Sequence, residues 1–180
     1  MSPNEWEECF LLHQRSYGDT SIIAEIFTRK SGKMSVIARG AKKPKSKFFG
    51  YLVPFSKLQI TYSGRSELKT LTNIDIEIFL LDNSLSKKSY SLLYINELMI
   101  KLLPKDAANE DLFNLYSKFI EDSLKLLEME FLLRNFEIDL LDMLGYGINF
   151  QTDIDAHEPI DPSTDYIFIA ERGFQASSKN

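Results

Sequence analysis

The spacing of apolar residues changes once along this chain, near residue 80, and this change constrains the fold more than any other feature of the sequence. Before that point, apolar and β-branched residues form short runs bounded by turn residues, which is the pattern of β-strands. Beyond it, apolar residues recur every three or four positions, which is the pattern of amphipathic helices. The sequence therefore predicts an α+β protein with two domains, a strand-rich domain over residues 1–80 and a helical domain over residues 81–180.

Five short strands are predicted in the first domain. A five-residue link that contains Gly32 joins the second strand to the third and predicts a hairpin. Five strands in so short a stretch are typical of a small closed barrel, either an OB-fold or an SH3-like barrel, and composition does not distinguish the two. The predicted strands cover residues 6–14, 21–28, 34–38, 56–62 and 68–78.

Three helices are predicted in the second domain, followed by a loop and a strand over residues 165–169. Asn109 is suited to cap the second helix, and Gly145 is suited to end the third. The apolar positions expected to face the core are Leu92, Ile95, Met99 and Leu102 in the first helix, Leu112, Tyr116, Phe119, Ile120 and Leu127 in the second, and Met129, Leu132, Leu133, Phe136, Leu140 and Met143 in the third.

Charge is distributed unevenly along the chain, although the formal net charge is only -5. Residues 1–80 contain 12 lysines and arginines against 8 acidic residues, whereas residues 81–180 contain 9 against 18. Residues 29–47 include eight basic side chains and no acidic one, and they lead into Phe48-Phe49-Gly50-Tyr51. Cations beside aromatics suit contact with a phosphate backbone and stacking on bases. A solvated loop without a ligand is the alternative interpretation.

The sequence has no arrangement typical of an enzyme. Neither histidine, His13 or His157, lies beside a serine or cysteine in a nucleophile motif. The single cysteine, Cys9, excludes an intrachain disulfide and a paired-cysteine zinc site, and it suits a reducing cytoplasm. The acidic segment 153–158 lacks the glycine and glutamate of a calcium loop. We therefore expect no catalysis, no cofactor and no metal. In addition, no apolar run of the sequence approaches the roughly 18 residues of a membrane span.

A series of short segments, in order and with matching spacing, resembles the RecO family of bacterial recombination and repair proteins. Each segment is weak alone, but together they run through nearly the whole chain. They are Leu11–Ser21, Phe27–Thr28, Ser31–Lys33, Ala38–Lys42, Leu52–Phe55 and Gly64–Leu68 in the first domain, and Leu93–Leu98, Leu133–Glu137 and Leu144–Gly147 in the second.

The resemblance implies an N-terminal OB-fold followed by a helical domain, acting as a mediator in DNA repair and recombination. Members of the family bind single- and double-stranded DNA, anneal complementary strands and recognise the C-terminal tail of the single-stranded DNA-binding protein SSB. With RecR they help to load RecA onto SSB-coated DNA. On this basis we expect DNA, RecR and the SSB tail as partners, RecA as an indirect partner, no small-molecule substrate, and a cytoplasmic, nucleoid-associated location.

The chain departs from the family in two places. Some members carry a four-cysteine zinc module where this chain has residues Ile148–Tyr166, which contain no cysteine, so we expect no zinc here. Members also extend several tens of residues past the point that matches Phe174–Ser177. We therefore expect the helical domain to be shortened at its C-terminus.

The candidate DNA-contacting residues are cations of the basic run, Arg39, Lys42, Lys43, Lys45 and Lys47, with Lys33 and Arg65 as flanking candidates. For the acidic SSB tail, the candidates are the cations of the helices, Lys118, Lys125 and Arg134. Arg65 could equally be a turn residue, and Arg134 could equally pair with Glu130 or Glu137. Two other functions stay open at this point, an RNA-binding OB module in ribosome assembly and a protein adaptor that does not bind DNA.

Overall fold

A computed structural model describes residues 5–78, 85–125, 128–170 and 172–177 of the chain. Its first five strands, β1 to β5, form a closed barrel in the order β1-β2-β3-β5-β4. β3 and β5 are parallel, and every other neighbouring pair is antiparallel. This order confirms the five-stranded barrel and is that of an OB-fold. The strands are β1 (Glu7–Tyr17), β2 (Ser21–Thr28), β3 (Gly32–Ala38), β4 (Lys57–Ser63) and β5 (Leu68–Ile78).

Three helices follow the barrel, and a short hairpin follows them. Asn109 caps α2 as predicted, because its side-chain oxygen accepts a hydrogen bond from the Leu112 N–H at 2.9 Å. Gly145 ends α3 with a positive φ of 83°, as predicted. The elements are α1 (Leu85–Leu102), α2 (Glu110–Ser123), α3 (Met129–Met143), β6 (Tyr166–Ile169) and β7 (Gly173–Ala176).

The first half of β1, as far as Leu12, is buried on both of its faces, which explains the run of four apolar residues at positions 9–12. Cys9 and Leu11 belong to the barrel core. Phe10 points the other way because successive side chains of a strand alternate, and it packs on two α2 rings. Its ring centroid lies 5.3 Å from that of Phe113 and 4.9 Å from that of Tyr116. The outer face of β1 is therefore a second core, shared with the helices.

A buried polar contact joins α1 and α2 to the same strand. The Asn96 amide donates a hydrogen bond to the Leu12 carbonyl at 2.8 Å, and its oxygen accepts one from the Tyr116 hydroxyl. Buried polar groups are costly unless they are hydrogen-bonded, so this network fixes how α1 and α2 pack on the barrel.

The helical core predictions are confirmed more fully for α1 and α2 than for α3, where Met129, Leu132 and Leu133 are only partly buried. Leu92, Ile95 and Met99 of α1, four of the predicted α2 positions, and Phe136 and Leu140 of α3 are buried. Leu102 and Met143 are 40% and 42% exposed, so those two predictions were wrong. Both residues end their helices, where the stripe of apolar residues runs past the buried face. Leu127 lies outside the described residues.

The chain divides into two compact units, residues 1–133 and 134–180. In the second unit, Asp153 is only 4% exposed and organises the C-terminal hairpin. Its carboxylate accepts hydrogen bonds from the Asp155, Ala156 and Ala176 N–H groups, at 2.7, 2.7 and 2.6 Å. β6 was predicted from the sequence, whereas its partner β7 was not.

In the described part of the chain, no helix has the length and apolar character needed to span a membrane.

Candidate nucleic-acid interface

The segment between β3 and β4, residues 39–56, forms what we call the basic loop. Three of its apolar side chains, Ala41, Phe48 and Leu52, are between 3% and 7% exposed and belong to the barrel core. Between these anchors the backbone makes successive turns, with the Lys43 N–H bonded to the Gly40 carbonyl and the Ser46 N–H bonded to the Lys43 carbonyl. The loop is therefore attached to the end of the barrel at several points, and most of its cationic side chains are exposed.

All five of the central candidate cations lie on the basic loop. Four of them are exposed, and Lys42 is partly exposed. The Lys42 ammonium lies 3.4 Å from the Gly18 carbonyl, and the Lys47 ammonium donates a hydrogen bond to the Asn73 side chain at 3.0 Å. None of the five forms an ion pair with an acidic residue that the structure describes. The loop thus presents uncompensated positive charge to solvent.

The turn between β1 and β2 lies beside the basic loop. β1 and β3 run in the same direction, since each is antiparallel to β2, and their C-terminal ends therefore meet at one end of the barrel. The Lys42 N–H donates a hydrogen bond to the Thr20 carbonyl at 2.9 Å, which holds the two segments together. Arg15 and Tyr17, near the end of β1, are both exposed. Sequence reasoning missed these two residues, although the β1–β2 loop is a usual binding element of OB-folds.

Arg65 lies at the opposite end of the barrel. It belongs to the β4–β5 turn, and β4 is antiparallel to β1. Its side chain is exposed and lines a concavity of about 790 Å³ together with Glu5, Glu7 and Asp106. The structure therefore does not bring Arg65 together with the cations of the basic loop.

Lys33 also lies away from the basic loop. It is only 7% exposed, and its ammonium donates a hydrogen bond to the Ile100 carbonyl in the last turn of α1. A cation at a helix C-terminus interacts favourably with the helix dipole, and burial lowers the pKa of Lys33. In this position Lys33 stabilises α1, and a phosphate cannot reach its buried ammonium without displacing that contact.

The first part of the basic run is neutralised within the protein. Arg29 pairs with Glu8 at 2.8 Å and with Glu110 of α2 at 3.0 Å, while Lys30 pairs with Glu5. Arg29 also lies over the Phe113 ring, 4.5 Å from its centroid. Of the eight basic residues in the run, therefore, three form ion pairs or hydrogen bonds within the protein: Arg29, Lys30 and Lys33. The other five are the cations of the basic loop.

The candidates for the SSB tail lie on separate elements. Lys118 is an exposed residue of α2, and Lys125 pairs with Asp122 at 2.6 Å. Arg134 pairs with Glu137, one of the two intramolecular partners expected for it, and its side chain stays 62% exposed.

The C-terminal unit also contains a groove that sequence reasoning missed. Its volume is about 410 Å³, and its lining consists of three glycines, three apolar or aromatic residues, Asn149 and one cation, Arg172. Phe168 and Tyr146 supply apolar surface to it. The groove is hard to predict from the sequence, because β7, whose first residue Gly173 lines it, has no apolar alternation.

Comparison with known proteins identifies the family. Residues 1–79 match the family model for the Recombination protein O N terminal region, and residues 86–178 match the model for the Recombination protein O C terminal region. The two matches occur in the order in which the barrel and the helices occur.

Curated relatives named DNA repair protein RecO align with almost the whole chain. The Haemophilus influenzae protein is 37% identical over 174 residues, which cover 97% of this chain and 73% of that protein. The Pasteurella multocida protein is 36% identical over 178 residues, covering 96% and 72% of the two chains. The Actinobacillus succinogenes protein is 34% identical over 180 residues, covering 98% and 74%. Together with the matches to both family models, these identities show that the chain belongs to the RecO family of DNA repair proteins.

Proposed function

We propose that this chain is a recombination mediator that binds single- and double-stranded DNA and anneals complementary strands. In this proposal it acts with RecR to help load RecA onto SSB-coated single-stranded DNA. Membership of a DNA repair family supports the general role. The observation that carries DNA binding is the basic loop, which places five exposed or partly exposed cations beside the β1–β2 turn.

The form of this surface suits annealing. Two strands are polyanions that repel each other, so a protein that brings them together must neutralise phosphates and leave the bases free to pair. Flexible lysines on an exposed loop meet both requirements, because they contact phosphates and do not enclose bases. We infer that the contact is largely independent of sequence, since contacts with phosphates carry no sequence information.

The proposal includes no catalytic step. His13 and His157 are both exposed, one on β1 and the other in the loop before β6. Cys9 is completely buried, and burial raises the pKa of its thiol, which keeps the thiol from acting as a nucleophile at neutral pH.

For the SSB tail we propose a site in which cations hold the acidic peptide beside an apolar surface. Arg134 remains a candidate, although it would have to exchange Glu137 for the peptide carboxylate. The groove beside Arg172 offers the apolar surface that such a peptide needs. Titration of a fluorescent tail peptide with Arg134→Ala and Arg172→Ala variants separates the two sites, and unchanged affinity in both variants would exclude each of them.

The proposed function is tested by annealing of complementary oligonucleotides with the purified chain. We expect the wild-type chain to accelerate annealing and the Lys42→Ala/Lys43→Ala/Lys45→Ala variant to lose most of that acceleration. A matched control is Lys101→Ala/Lys105→Ala/Lys118→Ala, which removes the same charge from exposed positions on α1, α2 and their connection. It should anneal like the wild type.

The same assay separates the alternatives. Equal loss of annealing in both triple variants would mean that total charge, and not the basic loop, is responsible. Stronger binding of a matched single-stranded RNA than of DNA would favour an RNA-binding module. Absence of nucleic-acid binding would favour a protein adaptor.

A further inference from the structure

The basic loop exposes two aromatic side chains among its cations. Phe49 is 51% exposed and Tyr51 is 37% exposed, whereas their neighbour Phe48 is only 6% exposed and lies in the barrel core. Gly50, with a φ of 79°, forms the turn between them. The three aromatics thus have different roles, one holding the loop on the barrel and two facing solvent.

The backbone of this part of the loop is held in place. The Phe49 N–H donates a hydrogen bond to the Ser46 carbonyl at 3.1 Å, and the Tyr51 N–H donates one to the Phe48 carbonyl at 3.2 Å. Buried Phe48 and Leu52 anchor the chain on either side of the exposed pair. A ring on a fixed backbone loses less conformational entropy on binding than a ring on a flexible one.

A single exposed aromatic residue on a protein surface needs no explanation. Here two of them lie within three residues, on a loop that also carries Lys45 and Lys47 and no acidic residue. A ligand for this surface must therefore be anionic and must also offer flat apolar faces. Single-stranded DNA has both properties, since its phosphates suit the lysines and its unpaired bases stack on aromatic rings.

Resting on the DNA binding proposed above, we propose that Phe49 and Tyr51 are a stacking site for unpaired bases of single-stranded DNA. The site gives the chain a preference for single strands over duplex, because bases in a duplex are already stacked and paired. Stacking occupies the face of a base and leaves its Watson–Crick edge free, so the site is compatible with annealing.

The test compares the affinity of the Phe49→Ala/Tyr51→Ala variant for oligo-dT and for a duplex of the same length. Affinity for oligo-dT should fall about tenfold or more, the range measured for loss of base–aromatic stacking. Affinity for the duplex should change less than about threefold, since the phosphate-contacting lysines remain. For the same reason, the salt dependence of oligo-dT binding should stay that of the wild type.

Two further variants serve as controls. Tyr90→Ala/Phe131→Ala removes one tyrosine and one phenylalanine that are 85% and 66% exposed on α1 and α3, and it should bind oligo-dT like the wild type. Tyr51→Trp keeps a stacking ring at the site, so this variant should bind oligo-dT like the wild type. If the tyrosine hydroxyl or the exact shape of the tyrosine ring were required instead, Tyr51→Trp would lose binding.

The outcomes distinguish this proposal from the one on which it rests. If the wild type binds oligo-dT and the Phe49→Ala/Tyr51→Ala variant binds it equally well, the stacking site is wrong and DNA binding stands. Equal losses on oligo-dT and duplex would also overturn the stacking site, because they indicate a general change in the loop. If the wild type binds neither nucleic acid, both proposals fail.

Discussion

At the scale of single residues, Gly32 sets how closely the barrel approaches the segment between α1 and α2. Its φ is 77°, in the region that favours glycine. A methyl group at this position would collide with the backbone of Ala107. The approach is held by backbone contacts on both sides, since the Asp106 N–H donates a hydrogen bond to the Lys33 carbonyl at 2.9 Å. Gly32 therefore meets two requirements, one conformational and one steric.

The two requirements can be separated by comparing Gly32→Ala with Gly50→Ala. Gly50 has a similar φ of 79° but has open space where a methyl group would be added. Gly50→Ala should lower the free energy of unfolding by about 1–2 kcal/mol, the cost of a left-handed conformation. Gly32→Ala should lower it by roughly 3 kcal/mol or more, because backbone must also move. Urea unfolding of both variants measures the difference, and equal losses would show that the barrel accommodates the methyl group.

The lysines of the basic run show that the residue type alone does not determine whether a side chain is available to bind DNA. Lys33 and Lys42 lie nine positions apart in one charge run, and the sequence makes both of them candidates for DNA contact, Lys42 in the central group and Lys33 at its flank. The structure buries the Lys33 ammonium at the end of α1 and leaves Lys42 on the surface. The role of each depends on the elements packed around it, which are distant in sequence.

At the scale of elements, most strands and helices could be predicted, and the reasons for the exceptions are physical. β2 and β5 occupy the predicted residues, because β-branched and apolar residues are bounded there by turns. The four residues of β7 have no comparable pattern, and they form a strand because they pair with β6 from Tyr166↔Ala176 to Ile169↔Gly173. The secondary structure of such a short segment depends on its tertiary contacts and not on its own sequence pattern. The position of Arg65 also depends on tertiary structure, because the direction of β4 in the barrel places the β4–β5 turn at the end opposite the basic loop.

The C-terminal hairpin should depend on the ionised carboxylate of Asp153. Hydrogen bonds from the Ala156, Ala176 and Asp155 N–H groups lower the pKa of Asp153. A carboxylate whose pKa is lower in the folded state stabilises that state at pH values above its unfolded pKa, about 3.9 for Asp. This stabilisation is lost as the pH falls through the lower folded value. The hairpin should therefore be stable at neutral pH and weaken in acid.

Asp153→Asn tests this dependence at neutral pH. The asparagine keeps one acceptor oxygen, but it replaces the other with an NH₂ group that cannot accept the Ala176 N–H. Hydrogen exchange at the Ala176 amide should therefore be faster in the variant than in the wild type at pH 7. Exchange at barrel amides such as Ala24 should be unchanged, and an unaltered rate at Ala176 would show that the carboxylate does not hold β7.

At the scale of the whole molecule, the net charge of -5 conceals where the charge lies. An acidic protein would ordinarily be expected to avoid DNA, because total charge governs long-range attraction at low salt. At physiological ionic strength, however, charges more than about 8 Å apart are largely screened. The local surface at the barrel end then matters more than the sum, and this surface carries five cations that form no ion pair with an acidic residue in the described part of the chain.

Salt dependence measures how many of these cations contact phosphates. If all five cations of the basic loop contact a single strand, the slope of log affinity against log salt should be about -3.5. Lys42→Ala/Lys43→Ala/Lys45→Ala leaves two contacts, and its slope should fall to about -1.4. The matched helix variant, Lys101→Ala/Lys105→Ala/Lys118→Ala, lowers the net charge equally and should keep the wild-type slope. Fluorescence anisotropy across a salt series gives all three values. A slope that fell equally in both variants would mean that the whole charge of the protein, and not the basic loop, controls binding.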